Sequence, residues 1–124
     1  MTHVLIVDDS LLNLSLAKDI LQSSGYETSE IDCGEDLQGQ LEKQVPDLVL
    51  MDIQLPGMSG FDCLKLMRSD NRYAAIPVIA FTASVMQEDK QAIMDAGFNS
   101  LIEKPIGFKD FLSTIASTLQ NSAS

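Results

Sequence analysis

Asp8 and Asp9 follow directly on the apolar run "VLIV", and Asp52 follows directly on another, "LVLM". A carboxylate at the rim of a core is costly unless it has partners. Thr82 closes a third apolar run, "VIAF", and Lys104 with Pro105 closes the shorter segment "SLIE". Brought to one edge of a sheet, the three acids would crowd and repel one another. A hard divalent cation relieves that repulsion: Mg²⁺ takes oxygen ligands, keeps several waters, and commonly uses one or two carboxylates plus phosphate oxygens. The sulphur and imidazole ligands of a zinc site are missing from this grouping. Lys104 offers a point charge for phosphate oxygens, and Thr82 a hydroxyl donor. Asp52 is then a carboxylate placed to attack phosphorus and hold it as an acyl phosphate. In-line transfer asks mainly for positioning and charge neutralisation, which metal and lysine both supply.

Singly, each residue has a plainer reading. Asp9 before a helix serves as an N-cap, Asp52 ahead of Pro56 and Gly57 starts a turn, and Thr82 and Lys104 are an ordinary strand residue and a solvated amine. The coincidence at four strand ends is what sets them apart, and it depends on the elements that carry them. "HVLIVDD" reads as a buried strand, continuous and rich in β-branched residues from Val4 to Val7, and "DLVLMD" and "IPVIAFTA" as two more buried strands. "YETSEID" alternates more weakly, as an edge strand does, and "SLIEKP" is a last short strand. Helical patterns fill the gaps: "SLLNLSLAKDILQSSG" stopped by Gly25, "GEDLQGQLEKQ", "GFDCLKLMRSD", "VMQEDKQAIMDAG" stopped by Gly97, and "GFKDFLSTIASTLQ". Strict alternation of this kind predicts an α/β fold, a doubly wound parallel sheet with helices on both faces and right-handed crossovers. Ligands of such sheets sit beyond the carboxyl ends of the strands, where the acids, the hydroxyl and the amine stand.

The chain has 124 residues, 45% hydrophobic, which suits one domain with a core of its own. The expected domain covers residues 1–120, with residues 121–124, "NSAS", as a frayed polar tail. A net charge of −10 disfavours direct contact with nucleic acid or anionic membrane. With neither a membrane-length apolar run nor a leader pattern, the expectation is a cytoplasmic protein. Cys33 and Cys63 lie too far apart for a metal or redox spacing and read as small buried apolar residues. His3 has no ligand-like companion and is assigned no role.

"VDD" after the first strand, "LMDIQLPGMSG" after the third, "TA" after the fourth and "KP" after the fifth resemble a response-regulator receiver domain in order and spacing, over essentially the whole chain. The resemblance implies a flavodoxin-like sheet in the order 2-1-3-4-5 with five helices. It also implies that Asp52 is phosphorylated from a phosphohistidine on a histidine kinase or phosphotransfer protein. Asp9, Asp52 and the Gln54 backbone carbonyl would bind Mg²⁺ directly, with Asp8 acting mostly through water. Thr82 would follow the phosphoryl group, Lys104 would pair with it, and the Lys104–Pro105 bond would be cis. Output would be a changed contact with a downstream protein, the chain being a phosphoacceptor rather than an enzyme acting on other substrates. Gln54 and Ser84 fall where such proteins tune the lifetime of the phosphate.

The chain departs from the family pattern at one place: the usual aromatic residue three positions before the lysine is Leu101. Leucine repacks but offers no ring face or hydroxyl, so switching shifts towards the loops after Asp52 and Thr82. Two other readings remain open here. One is a receiver-like binding module that takes no phosphate. The other is a haloacid-dehalogenase-type phosphatase, which would want a second aspartate where this chain has Gln54. A flavodoxin-like electron carrier would find two aspartates where it needs a phosphate-cradling loop. On the first helix, Leu16, Ala17, Ile20 and Leu21 are expected to face the core. Leu11 and Leu14 are left outward as a docking patch for a helical phosphodonor.

Overall fold

The computed structural model describes residues 2–55, 57–82, 87–103 and 108–122. Strands β1 (His3–Val7), β2 (Glu27–Ile31), β3 (Leu48–Asp52), β4 (Val78–Thr82) and β5 (Ser100–Glu103) alternate with helices α1 (Leu11–Ser23), α2 (Leu37–Lys43), α3 (Gly60–Arg68), α4 (Gln87–Ala96) and α5 (Phe108–Ser122). The five strands form one sheet in the order β2-β1-β3-β4-β5, every neighbouring pair parallel. This is the doubly wound architecture and strand order expected from the sequence. β1, β3 and β4 are buried along their whole length, because helices cover both faces of the sheet. β2, at the edge, is only half-buried.

Alternate side chains along each strand feed two cores. Leu5, Val7, Val49, Met51, Val78 and Ala80 pack under residues of α2, α3 and α4, while Val4, Ile6, Leu48, Leu50, Ile79 and Phe81 pack under α1 and α5. Helix limits follow local chemistry. Ser10 caps α1 by accepting from the Asn13 N–H, and Ser59 with Asp62 forms a reciprocal capping box at α3. Gly25 and Gly97, just past α1 and α4, take positive φ of 92° and 110°, the left-handed geometry that ends helices. A short 3₁₀ turn, Gly34–Asp36, leads into α2, and α5 runs two residues beyond Gln120, within the segment expected as tail. At the end of the sheet remote from the carboxylates, Arg68 donates to the carbonyls of Ala74, Ile76 and Gly97 and to Asn99 Oδ1, tying α3 to the two segments that lead into β4 and β5.

The expected facing of α1 holds for Ala17, Ile20, Leu21 and the outward Leu11, and is overturned at Leu14 and Leu16. Leu14 lies in the core beside Ala17 and Leu21, whereas Leu16 is 44% exposed. At 3.6 residues per turn, positions 14, 17 and 21 form one row, and Leu12 and Leu16 fall on the opposite side. Leu14 therefore belongs to no docking patch. The outward leucines are Leu11, Leu12 and Leu16. Cys63 is fully buried as expected, and burial, with the charges of Asp62 and Glu35, pushes its thiol up to about 11. Cys33 is only partly buried. His3 is buried, sharing a hydrogen bond with Ser29 Oγ through Nε2 at 2.8 Å.

The two leucines on opposite sides of α1 give a direct check. Leu14→Ala should lower stability by about 2–3 kcal/mol and Leu16→Ala by less than about 0.5 kcal/mol. Urea unfolding of both variants measures the difference.

Candidate functional site

The site lies at the carboxyl ends of β1, β3 and β4, the sheet's three fully buried strands, so its groups are delivered by the most rigid part of the fold. Val7 is in register with Met51 on β3, and Asp52 with Phe81 on β4, so Asp8 and Asp52 arrive at the same level of the sheet and Thr82 one residue beyond it. Asp8 is fully buried and Asp52 is 3% exposed. Asp9, one residue beyond, faces solvent. Each of the three offers a carboxylate oxygen, and these atoms all lie within 4.8 Å of one another.

Two of the carboxylates are oriented by the turn that follows them. The Ser10 N–H donates to Asp8 Oδ1 at 2.9 Å, and the Gln54 N–H donates to Asp52 Oδ1 at 2.8 Å. The Asp8 N–H also donates to the Ile31 carbonyl at 3.2 Å, extending the sheet pairing by one residue. Ser10 thus does two things at once: its amide orients Asp8, and its hydroxyl caps the helix whose first turn carries Leu11 and Leu12. Thr82 is fully buried, and its Oγ1 meets no hydrogen-bond partner among the described residues. An orphaned buried hydroxyl costs free energy unless some acceptor reaches it at another stage.

The β3–α3 loop is pinned from beneath. A Cβ on Gly60 would stand 2.5 Å from the Asp52 carbonyl oxygen and 2.6 Å from Ile53 Cα, so only glycine lets α3 start against the main chain of the acid. Gly34 is as tight, with Cys63 Sγ and the Met58 carbonyl oxygen both 2.7 Å from where its Cβ would be. Gly57 in the same loop has φ of +72°, which an L side chain tolerates poorly. Sequence reading recognised "PGMSG" as a pattern but not these contacts. The available signal was a glycine inside the first turn of a helix, where almost any other residue would serve the helix better.

Structure thus brings together Asp8, Asp9, Asp52 and Thr82, with Gln54 exposed on the loop beside them. Leu101, half-buried, packs against the core on the α4 side of the sheet. Lys104, Pro105 and Ser84 lie outside the described residues, and with them the expected cis bond. The all-oxygen grouping suits a hard divalent cation.

Comparison with known proteins agrees with this geometry. A family model of the response regulator receiver domain matches residues 4–116. The polar-differentiation response regulator DivK of Brucella ovis is 41% identical over 116 residues, 94% of this chain and 94% of its own length. Among solved structures, the chemotaxis protein CheY4 of Vibrio cholerae superposes with a TM-score of 0.89 at 28% identity, over 95% of this chain and 98% of its own. A CheY-like receiver domain protein from Methanospirillum hungatei gives 0.89 at 28% identity, over 99% of this chain and 97% of its own.

Gly60 provides the test of how the acid is held. Gly60→Ala forces a methyl against main-chain atoms that cannot rotate away, so stability should fall by about 1–3 kcal/mol. Mg²⁺ affinity, followed by titration on the folded variant, should fall with it.

Proposed function

The chain belongs to the response-regulator receiver family, and from that premise we propose that Asp52 accepts a phosphoryl group from a phosphohistidine. A carboxylate oxygen of Asp52 attacks phosphorus, the P–N bond to the histidine breaks, and the imidazole leaves with the bonding pair. The observation that carries this reading is the grouping of carboxylate oxygens within 4.8 Å at the ends of β1 and β3, with the buried Thr82 hydroxyl at the end of the adjacent strand. Asp9 and Asp52, with the Gln54 carbonyl, hold Mg²⁺, and Asp8 supports it through water. When bound, the ion offsets the mutual repulsion of the acids and the charge on the transferring group.

Thr82 supplies its hydroxyl to a phosphoryl oxygen on Asp52, which gives that buried donor an acceptor. Lys104 supplies the positive charge beside the phosphoryl group. Gln54, exposed on the loop two residues after the acceptor, and Ser84, two residues after Thr82 in sequence, would tune the lifetime of the acyl phosphate. The domain spans residues 1–120 in this reading and works in the cytoplasm; no helix among the described residues is long and apolar enough to cross a membrane. Its phosphodonor is a histidine kinase or phosphotransfer protein, and its output is contact with a downstream protein rather than with nucleic acid.

Leu11, Leu12 and Leu16 provide the docking surface for the donor. They are 75%, 68% and 44% exposed on a helix whose first turn adjoins Asp9. An apolar patch rimmed by polar residues marks an interaction site, and an amphipathic helix of the donor matches it.

Intact mass after incubation with acetyl phosphate tests the chemistry. Wild-type protein should gain one phosphoryl group in Mg²⁺ and none with the metal chelated, and Asp52→Ala should gain none under either condition. Persistent labelling of Asp52→Ala would remove the assignment. Docking is tested separately: Leu11→Ser combined with Leu12→Ser should slow transfer from a cognate phosphohistidine protein at least about tenfold, the cost of losing about 1.4 kcal/mol of contact. Labelling by acetyl phosphate should be unchanged, and equal slowing of both reactions would rule the patch out.

A further inference from the structure

We propose that the groove between α3 and α4 binds an acidic segment of a partner protein, through one large apolar side chain flanked by carboxylates. None of the residues of the phosphoacceptor site takes part. Phe61, Lys65 and Arg68 recur at the four- and three-residue spacing that sets them in one row along α3. That row and Ala96, the last residue of α4, line a cavity of about 340 Å³. The space exists because Ala96 and the Gly97 that follows it have no side chain long enough to fill it.

The apolar wall is fixed in place. Phe98, 3% exposed, meets Phe61 edge to face, with ring centroids 5.7 Å apart and planes at 82°. This contact holds the Phe61 ring at the surface, where it is 37% exposed. A rigid aromatic ring beside an unfilled cavity is a seat for a single anchor side chain of a partner.

Charge decides what the anchor must be attached to. The chain has eight lysines and arginines and a net charge of −10. Lys18, Arg72 and Lys90 are paired with carboxylates. Lys65 and Arg68 have no carboxylate partner among the described residues, and both line the groove. Lys65 is exposed. Arg68 is half-buried, and its hydrogen bonds end on neutral oxygens, three carbonyls and the Asn99 side chain. Burial without a counter-ion lowers the pKa of its guanidinium from the ordinary value. The acids nearby are engaged elsewhere. Asp62, which also lines the groove, accepts from the Ser59 N–H at 3.3 Å, and Asp95, next to Ala96, accepts from Gln91 at 2.9 Å.

Two uncompensated cations beside an apolar seat select a segment that carries an apolar side chain among acids. A second copy of this chain is disfavoured by its own net charge. An acidic partner meets that net charge only at long range. At about 0.1 M salt it is screened beyond about 10 Å, and the two cations govern the contact itself. The groove covers the α2, α3 and α4 side of the sheet, opposite the helix that carries the outward leucines. A partner seated here leaves α1 free, so the chain can hold two proteins at once.

The probe is a synthetic peptide, Glu-Asp-Leu-Phe-Glu-Asp with blocked ends, titrated into the ¹⁵N-labelled full chain and followed by amide shifts. It is carried to about 2 mM, enough to half-saturate a site of millimolar affinity. Shifts should appear at Phe61, Lys65, Ala96 and Phe98 and spare Leu11 and Leu12. Lys65→Glu should weaken binding at least about fivefold, Lys65→Arg should preserve it, and Phe61→Ser should abolish it. A peptide with Gln and Asn in place of the acids, or with Ala in place of Leu and Phe, should bind at least about fivefold more weakly. Lys18→Gln, on α1, should change nothing.

Absence of shifts at the four groove residues in the wild type overturns the proposal. Equal binding of the neutral peptide, or full affinity in Lys65→Glu, overturns the assignment of an acidic partner. If the same amides shift when the protein alone is concentrated, the occupant is a second copy, which overturns it too. The spectrum of each variant reports its folding, so lost binding is separated from lost structure.

Discussion

The structure turns on the placement of two carboxylates at the ends of adjacent, fully buried strands. Asp8 and Asp52 have almost no exposure, yet each terminates a run of side chains that are wholly apolar. Charge in such a place has to be answered locally, since the cost of an uncompensated buried ion is several kcal/mol. Part of the answer is main-chain: an amide two residues on donates to each carboxylate. These turns set the direction in which β1 and β3 leave the sheet. The strand ends, the first turn of α1 and the start of the β3–α3 loop are one arrangement seen from different elements. What the amides leave incomplete, a divalent cation and a phosphoryl group would complete in the proposed function, and a buried hydroxyl stands one residue further along the next strand.

Holding those acids in place demands close packing from below, which explains why small residues gather at one corner. Gly60 rests on the main chain of Asp52 and Ile53, and Gly34 rests on Cys63 and Met58. A helix start, a 3₁₀ turn and the loop after the acceptor therefore meet without side chains between them. The packing is unforgiving because its partners are mostly backbone, which has nowhere to go. On the opposite flank the material is different. There, α4 meets β5 through a half-buried leucine and an exposed ion pair, both of which give way easily. The two flanks of the site thus differ in packing, close backbone contact under Asp52 on one side and a half-buried leucine with an exposed ion pair on the other.

Much of this was legible in the residues. Strands β1, β3 and β4 announced themselves because long β-branched runs end abruptly in polar groups, a contrast no helix would produce. Ordering those ends into one site needed only the alternation of elements and the rule for open sheets. The facing of α1 was not legible. Leu11, Leu12, Leu14, Leu16 and Leu21 surround that helix, so apolar periodicity alone offered two competing stripes. Contact with the sheet and α5 chose the row through Leu14, Ala17 and Leu21. The tight glycine contacts were equally hidden, because a close approach of main chain to main chain leaves no pattern in side-chain type. The Lys90–Glu103 ion pair between α4 and β5 joins residues of ordinary composition on separate elements, and only the fold reveals it.

Net charge bears on how the phosphoryl group is delivered. A chain carrying −10 repels other anions at long range, and three carboxylates gather at the site itself. A small anionic phosphodonor meets that field unaided, so metal binding, which neutralises the mouth of the site, must come before it. A protein donor has another route. The outward leucines on α1 lie beside the acids but carry no charge, and apolar burial is indifferent to the sign of the field. In the proposed docking, contact there would bring a phosphohistidine to Asp52 by area rather than by electrostatic steering, and the binding strength would then reside where salt has little purchase. The helix that would meet the donor in that docking is the one capped by Ser10, the residue that also orients Asp8.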